Sequence, residues 1–312
     1  MSATPRGAAT AALQGCAATL RAPGMLIGVL LLTIVSVVPF VFPVQSAVLE
    51  SLALNPEAAN VGGSEIDPEW WLEFRRHASG LAATFTPAIL GFAAPLDTFS
   101  ALLDGTRQPV MLLLPIALSA VLWAFIWGGA LNRFARNERS FGAFVRAGFR
   151  YFVPLLAVTA IAATASLFLY LTVHALLLGV VYDAIAGSLA SEPAAFAVRV
   201  LLYAVFGGVL VAANAVFAFA RIGIVGSAQG VSMAIRDAWS FVRSRAVSVG
   251  ALYGLFILLI FVTATAYGVG EIYGGSRVGG WRAVVIGQAF IGFRLAMRLA
   301  LAAAQVRLAA GR

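Results

Sequence analysis

Residues 110–131 read VMLLLPIALSAVLWAFIWGGAL. These 22 residues carry no charge, and as a helix they reach about 33 Å, enough to cross the ~30 Å hydrocarbon core of a bilayer. A helix on the surface of a soluble protein would need a polar face, and this run has none. Asn132-Arg133-Phe134-Ala135-Arg136-Asn137-Glu138-Arg139 follows, three arginines in close succession. The stretch therefore reads as a transmembrane helix whose C-terminal end meets charged headgroups.

Five more runs of this kind flank it: Met25–Leu49, Phe152–Tyr182, Phe196–Val225, Val247–Val269 and Ala283–Ala304. Pro39 and Pro43 interrupt the first. Composition agrees, since 61% of the 312 residues are hydrophobic and 11% charged, against ~25% charged in a soluble domain. A water-soluble globule could not hide that excess of apolar side chains. The expectation is an all-α polytopic membrane helix bundle with six transmembrane helices in a single membrane domain. Met25–Leu49 is too long for a cleaved signal's apolar region and Val44–Ala47 is a poor cleavage site, so it reads as a signal-anchor. Leu13-Gln14-Gly15-Cys16 has the look of a lipoprotein box, but it precedes the apolar run instead of following it, and Cys16 reads as an ordinary small residue.

Charge gives an orientation. Arg6 and Arg21 precede the first span, Arg133 to Arg150 fall between the second and third, Arg236, Arg243 and Arg245 between the fourth and fifth, and Arg307 and Arg312 at the end. Residues 50–109 instead hold eight acids and three arginines. The positive-inside rule then expects both termini in the cytoplasm of a bacterial inner membrane, with 50–109 extracytoplasmic.

The basic segments before spans one, three and five share a helical period. Phe141, Phe144, Val145, Gly148, Phe149 and Phe152 form one stripe, with Arg139, Ala143, Arg146 and Arg150 opposite. Val231, Ile235, Ala238, Trp239 and Val242 form another, with Arg236, Ser240 and Arg243 opposite. Leu13, Cys16, Ala17 and Leu20 repeat the spacing. Basic amphipathic helices beside spans lie in the headgroup plane. The expected plan is three units of interfacial helix plus transmembrane hairpin, and Arg139, Arg146, Arg150, Arg236 and Arg243 are the candidate lipid-headgroup contacts.

In the outer segment, Asp67 caps a helix with Pro68 in its first turn. Trp71, Phe74, Ala78, Leu81 and Phe85 make an apolar stripe, and His77 can pair with Glu73. Residues 81–96, broken by Pro87 and Pro95, read either as a re-entrant segment or as an interfacial cap. Leu96–Leu103 reads as a short amphipathic helix.

Several chemistries are excluded. All 21 basic residues are Arg, which removes lysine-dependent phosphate loops, Schiff bases and Ser–Lys dyads. The single cysteine, Cys16, forbids an internal disulfide and a cysteine metal centre. No hydrolase, zinc-protease or dinucleotide motif is present, and no cofactor or metal site is expected. No acid lies deep in a span, which argues against a cation-coupled pump. The candidate intramembrane polar site is His174, Asn214, Gln288, Arg294 and Arg298. Arg199 and Arg221, near the ends of the fourth span, read as snorkelling. Gly226-x-x-x-Gly230 and Gly250-x-x-x-Gly254 read as close-packing motifs.

Ile224-Val225-Gly226, leading into Ala234-Ile235-Arg236-Asp237-Ala238-Trp239-Ser240 and the fifth span, resembles bacterial six-helix membrane proteins of unassigned activity. It is also similar to the membrane domain beside some glycerophosphodiester phosphodiesterases, as is Thr84 to Asp97 to other such bacterial proteins. That resemblance implies no activity, because the phosphodiesterase catalytic domain is absent. The expected function is a non-enzymatic scaffold or envelope-maintenance protein. A transporter or channel for a small or lipid-like solute, with the sixth-span arginines near an anionic group, is the alternative, and a membrane-embedded enzyme is third. Expected partners are membrane lipids, with a protein partner or a second copy left open and nucleic acid excluded.

Overall fold

A computed structural model of the chain describes residues 7–55, 67–85, 100–105, 110–189, 191–274 and 281–311. Among these the chain is helical and carries no strand. The helices are α1 (Ala8–Leu20), α2 (Pro23–Ala53), α3 (Pro68–His77), α4 (Leu113–Arg136), α5 (Phe141–Arg150), α6 (Phe152–Ala186), α7 (Glu192–Ser227), α8 (Val231–Ser244), α9 (Ala246–Gly274) and α10 (Trp281–Ala309). Six of them, α2, α4, α6, α7, α9 and α10, are long and apolar enough to cross a membrane. The chain thus has the six spans expected. Each is longer than its apolar run because the helix continues into flanking polar residues.

Backbone demands inside lipid explain the local structure. Every N–H and C=O at hydrocarbon depth must be paired within the protein, which a continuous helix does. Hydroxyls in the spans follow the same rule: Thr33, Thr159, Thr164, Ser166, Thr172 and Thr263 each donate to the carbonyl four residues back. Pro39 and Pro43 do not break α2, which runs through both. Within α6, Tyr170–Val181 is wound as a π-helix, a geometry usually confined to single turns.

The three-unit plan is present. Each unit is a short helix, an outgoing span and a returning span: α1-α2-α4, α5-α6-α7 and α8-α9-α10. Their packing repeats in a ring. The returning spans α4, α7 and α10 touch one another at the centre. Each outgoing span lies between its own returning span and that of the preceding unit: α6 between α7 and α4, α9 between α10 and α7, α2 between α4 and α10. Each short helix packs on the preceding unit's returning span, α5 on α4 and α8 on α7. The N-terminal α1 packs on α10 of the last unit, which closes the ring.

Small residues make those three seams. Gly128 of α4 lies so near α5 that an added Cβ would stand 2.8 Å from the Ala147 carbonyl oxygen and 2.9 Å from the Gly148 Cα. A Cβ on Gly15 of α1 would fall 2.5 Å from the Ala300 carbonyl oxygen of α10. On α8, Ala234 and Ala238 are buried.

This corrects the expected stripes. Ala143, placed with the arginines, is buried with Ala147 and Gly148, whereas Phe141 is 81% exposed. Trp239 and Leu13 are likewise 60% and 73% exposed. Small residues make the closest approaches while Phe141, Phe149 and Trp239 stay exposed, but Phe144 packs on Gly129 of α4 and the Phe241 ring lies 4.7 Å from that of Phe219 on α7. Gly250 and Gly254, expected at a helix contact, have nothing within 4 Å of an added Cβ.

The tightly buried residues gather in the halves of the spans nearest the short helices: Trp123–Phe134 of α4, Ala215–Val225 of α7, Val249–Phe256 of α9 and Leu299–Leu308 of α10. We call this the basic end. At the far end, the Asp67 Oδ1 accepts from the Glu69 and Trp70 N–H groups, as expected of a cap. Trp70 and Phe74 are buried against Ala47, Val48 and Leu52 of α2, and the Trp70 indole donates to Ser51 Oγ at 3.0 Å. His77 Nδ1 meets the Glu73 backbone oxygen instead of its carboxylate. Residues 86–99, which carry the re-entrant-or-cap question, lie outside the described residues; residues 100–104 are helical.

Candidate anion site between the returning spans

Helical spacing builds a polar cluster at the centre of the ring. Asn214, Ala218 and Arg221 of α7 are four and seven residues apart and share one face. Arg298, Ala302 and Gln305 of α10 repeat that spacing. With Trp127 and Leu131 of α4 and Tyr253 of α9, they line a cavity of about 100 Å³, well above the ~10–15 Å³ a water needs. Along its own helix, Arg221 stands about 9 Å from the C-terminal end of α7 and Arg298 about 16 Å from that of α10.

The hydrogen bonds converge on one phenol. Asn214 Nδ2 donates to the Tyr253 hydroxyl at 3.3 Å and Gln305 Nε2 donates to it at 2.8 Å. The Arg298 guanidinium sits over the Trp123 ring, 3.5 Å from its centroid, and 5.5 Å from that of Trp127. Such a contact is worth about 2 kcal/mol when desolvated, but an aromatic face offers no lone pair to the five N–H groups of an arginine. Arg221 Nε is buried with no hydrogen-bond partner, and the two guanidiniums lie within each other's electrostatic reach. No Asp or Glu is among the residues lining the cavity. Two like charges lining one cavity without a carboxylate beside them are unfavourable. Among the residues lining the cavity there is no Ser, Thr, Cys, His, Asp or Glu.

Of the five residues expected to form an intramembrane polar site, Asn214 and Arg298 meet here. His174 does not: its Nε2 bonds the Leu103 carbonyl at 2.8 Å and its ring packs on Tyr170 and Phe206 at the far end. Gln288 and Arg294 are exposed on α10 and do not line the cavity, whereas Asn214 and Arg298 line it with side chains that are also exposed. Arg221, read as snorkelling, is a member. Gln305 falls one residue past the expected end of the sixth span. The spacing of seven between Asn214 and Arg221, and again between Arg298 and Gln305, was the signal for both.

Around His174 a second arrangement holds residues 100–105 to α6 and α7. Tyr170 donates to the Leu102 carbonyl and Tyr203 to the Asp104 carboxylate, which also accepts from Ser100 Oγ at 3.0 Å. The Tyr203 hydroxyl, foremost, then Ser100 and the charge of Arg199, hold the Asp104 carboxyl below its usual range.

The candidate headgroup arginines Arg139, Arg146, Arg150, Arg236 and Arg243 are all exposed at the basic end. Arg139 Nε donates to Asn137 Oδ1 at 3.3 Å, and Arg150 lies over the Tyr151 ring. No family model, curated protein or solved structure matches the chain.

Proposed function

We propose that this is a multi-pass membrane protein that binds an anionic group within the bilayer, as a transporter or channel for a small or lipid-like anionic solute. The observation that carries the reading is the Arg221–Arg298 pair, lining a central cavity with no carboxylate in its lining. A purely structural bundle gains nothing from two uncompensated cations there, whereas a carboxylate, sulfate or phosphate completes them through charge-assisted hydrogen bonds. A bacterial inner membrane with both termini cytoplasmic is the orientation the arginine distribution supports.

The test is binding and flux by the full chain. Wild type in detergent is titrated with sulfate and with dihexanoyl phosphatidic acid, and proteoliposomes are assayed for sulfate release. Arg221→Gln with Arg298→Gln is expected to abolish binding of whichever probe the wild type takes. Equal binding by the variant and wild type rejects the reading. The scaffold reading stands second; what favours it is the exposed Phe141, Phe149 and Trp239 beside the basic face of α5 and α8, a surface suited to lipid headgroups and their acyl boundary. The resemblance to the membrane domain beside glycerophosphodiester phosphodiesterases rests on residues 224–240 and the fifth span and adds no substrate.

A further inference from the structure

A second basic cavity lies on the outside of the ring, where α1 closes against α10. Gln14, Ala17, Ala18 and Arg21 of α1 and Arg307 of α10 line about 370 Å³. No residue lines both this groove and the central cavity. The two arginines are 286 positions apart in sequence and converge only because α1 docks on the last span.

Comparison with other arginines of the basic end shows what is unusual here. Arg136 Nη2 donates to the Val225 carbonyl and the Tyr151 hydroxyl, each at 3.1 Å. Arg133 donates to the Arg139 carbonyl at 3.1 Å. Arg245, which ends α8 as Arg21 ends α1, donates to the Gly311 carbonyl at 3.3 and 3.4 Å. Arg21 and Arg307 have no such acceptor among the described residues. A helix C-terminus favours one cation, but it does not account for two cations and a carboxamide around one cavity floored by alanines. The depth is also informative. Leu13 and Leu20 on α1 are more than 70% exposed, which sets α1 at the level where apolar side chains enter the acyl region and arginines meet phosphates.

We propose that the α1–α10 groove binds the phosphate of an anionic lipid headgroup, with Arg21 and Arg307 donating to its oxygens and Gln14 to a further acceptor. The experiment uses the full-length protein, extracted in detergent and examined by native mass spectrometry with phosphatidylglycerol, phosphatidylcholine or inorganic phosphate added. Wild type is expected to retain phosphatidylglycerol over phosphatidylcholine. Arg21→Gln with Arg307→Gln is expected to weaken that retention about thirtyfold, two headgroup-level cations acting together. Arg75→Gln with Arg76→Gln, the same change of net charge on α3, leaves it unaltered. Ala17→Phe fills the groove while keeping both arginines and is expected to cause the same loss, which guards against a glutamine variant that fails to fold. If inorganic phosphate binds instead, with the same dependence on Arg21, Arg307 and Ala17, the site stands and its ligand is soluble phosphate. Unchanged phosphatidylglycerol retention in both the glutamine pair and Ala17→Phe overturns the proposal.

Discussion

Arg298 lies over Trp123 among apolar spans, and neither it nor Arg221 faces a carboxylate in the cavity lining. Two like charges lining one cavity repel each other and lower the stability of the anion-free protein. Arg298 keeps an exposed side chain, so the change acts through lost repulsion from Arg221, and Arg298→Met is expected to raise the melting temperature in anion-free detergent. A fall in melting temperature would mean that Arg298 already has a counter-ion within the fold. Asp104 gives a prediction of opposite sign. Its carboxyl titrates below the usual range, chiefly through the Tyr203 hydroxyl. A depressed carboxylate stabilises the docked 100–105 turn above the ordinary carboxylate range, and that contribution disappears as acid protonates it. Hydrogen exchange at residues 100–105 should be slow at neutral pH and accelerate below the usual carboxylate pKa. Tyr203→Phe should show the faster exchange already at neutral pH.

At the scale of elements, the seams between short helices and returning spans are set by backbone proximity. Gly128→Ala would press a methyl onto the Ala147 carbonyl and the Gly148 Cα of α5. Neither is a flexible side chain end, so α5 must move away, at a cost of about 1–3 kcal/mol. Gly250→Ala is the comparison: it is helical, its Cβ meets nothing within 4 Å, and alanine favours a helix by up to ~1 kcal/mol. Melting temperatures of the two variants should move in opposite directions. The stripe of Phe141, Phe144 and Phe149 was legible as an apolar face, but its direction was not. Periodicity marks a face as apolar without distinguishing a protein neighbour from lipid: Ala143, Ala147 and Gly148 are buried, Phe144 packs against α4 beside them, and Phe141 stays exposed.

At the scale of the molecule, three units packed in one sense place the joints at 137–140 and 228–230 on the same side as residues 7 and 311, with 100–105 and 187–189 on the other. Reporter fusions after residues 105 and 140 should therefore report opposite sides, and those after 140 and 229 the same side. Agreement between 105 and 140 would remove α4 as a span. The closure of the ring by α1 on α10 joins the two ends of the sequence, and no local pattern could announce it. Hydropathy runs identify spans one by one, while ring order depends on which faces of distant helices fit.

The sequence by itself determined the solvent, the number of spans, their repeated grouping with three short basic helices, and the absence of acids at depth. These follow from run length, composition and helical period, all properties of neighbouring residues. Only the tertiary structure decided that Asn214, Arg221, Tyr253, Arg298 and Gln305 share one cavity, that His174 serves the far end instead, and that Arg21 meets Arg307. The physical reason is that a polar residue in a span is read alone as expensive, whereas its role depends on the group opposite, and that group comes from another helix.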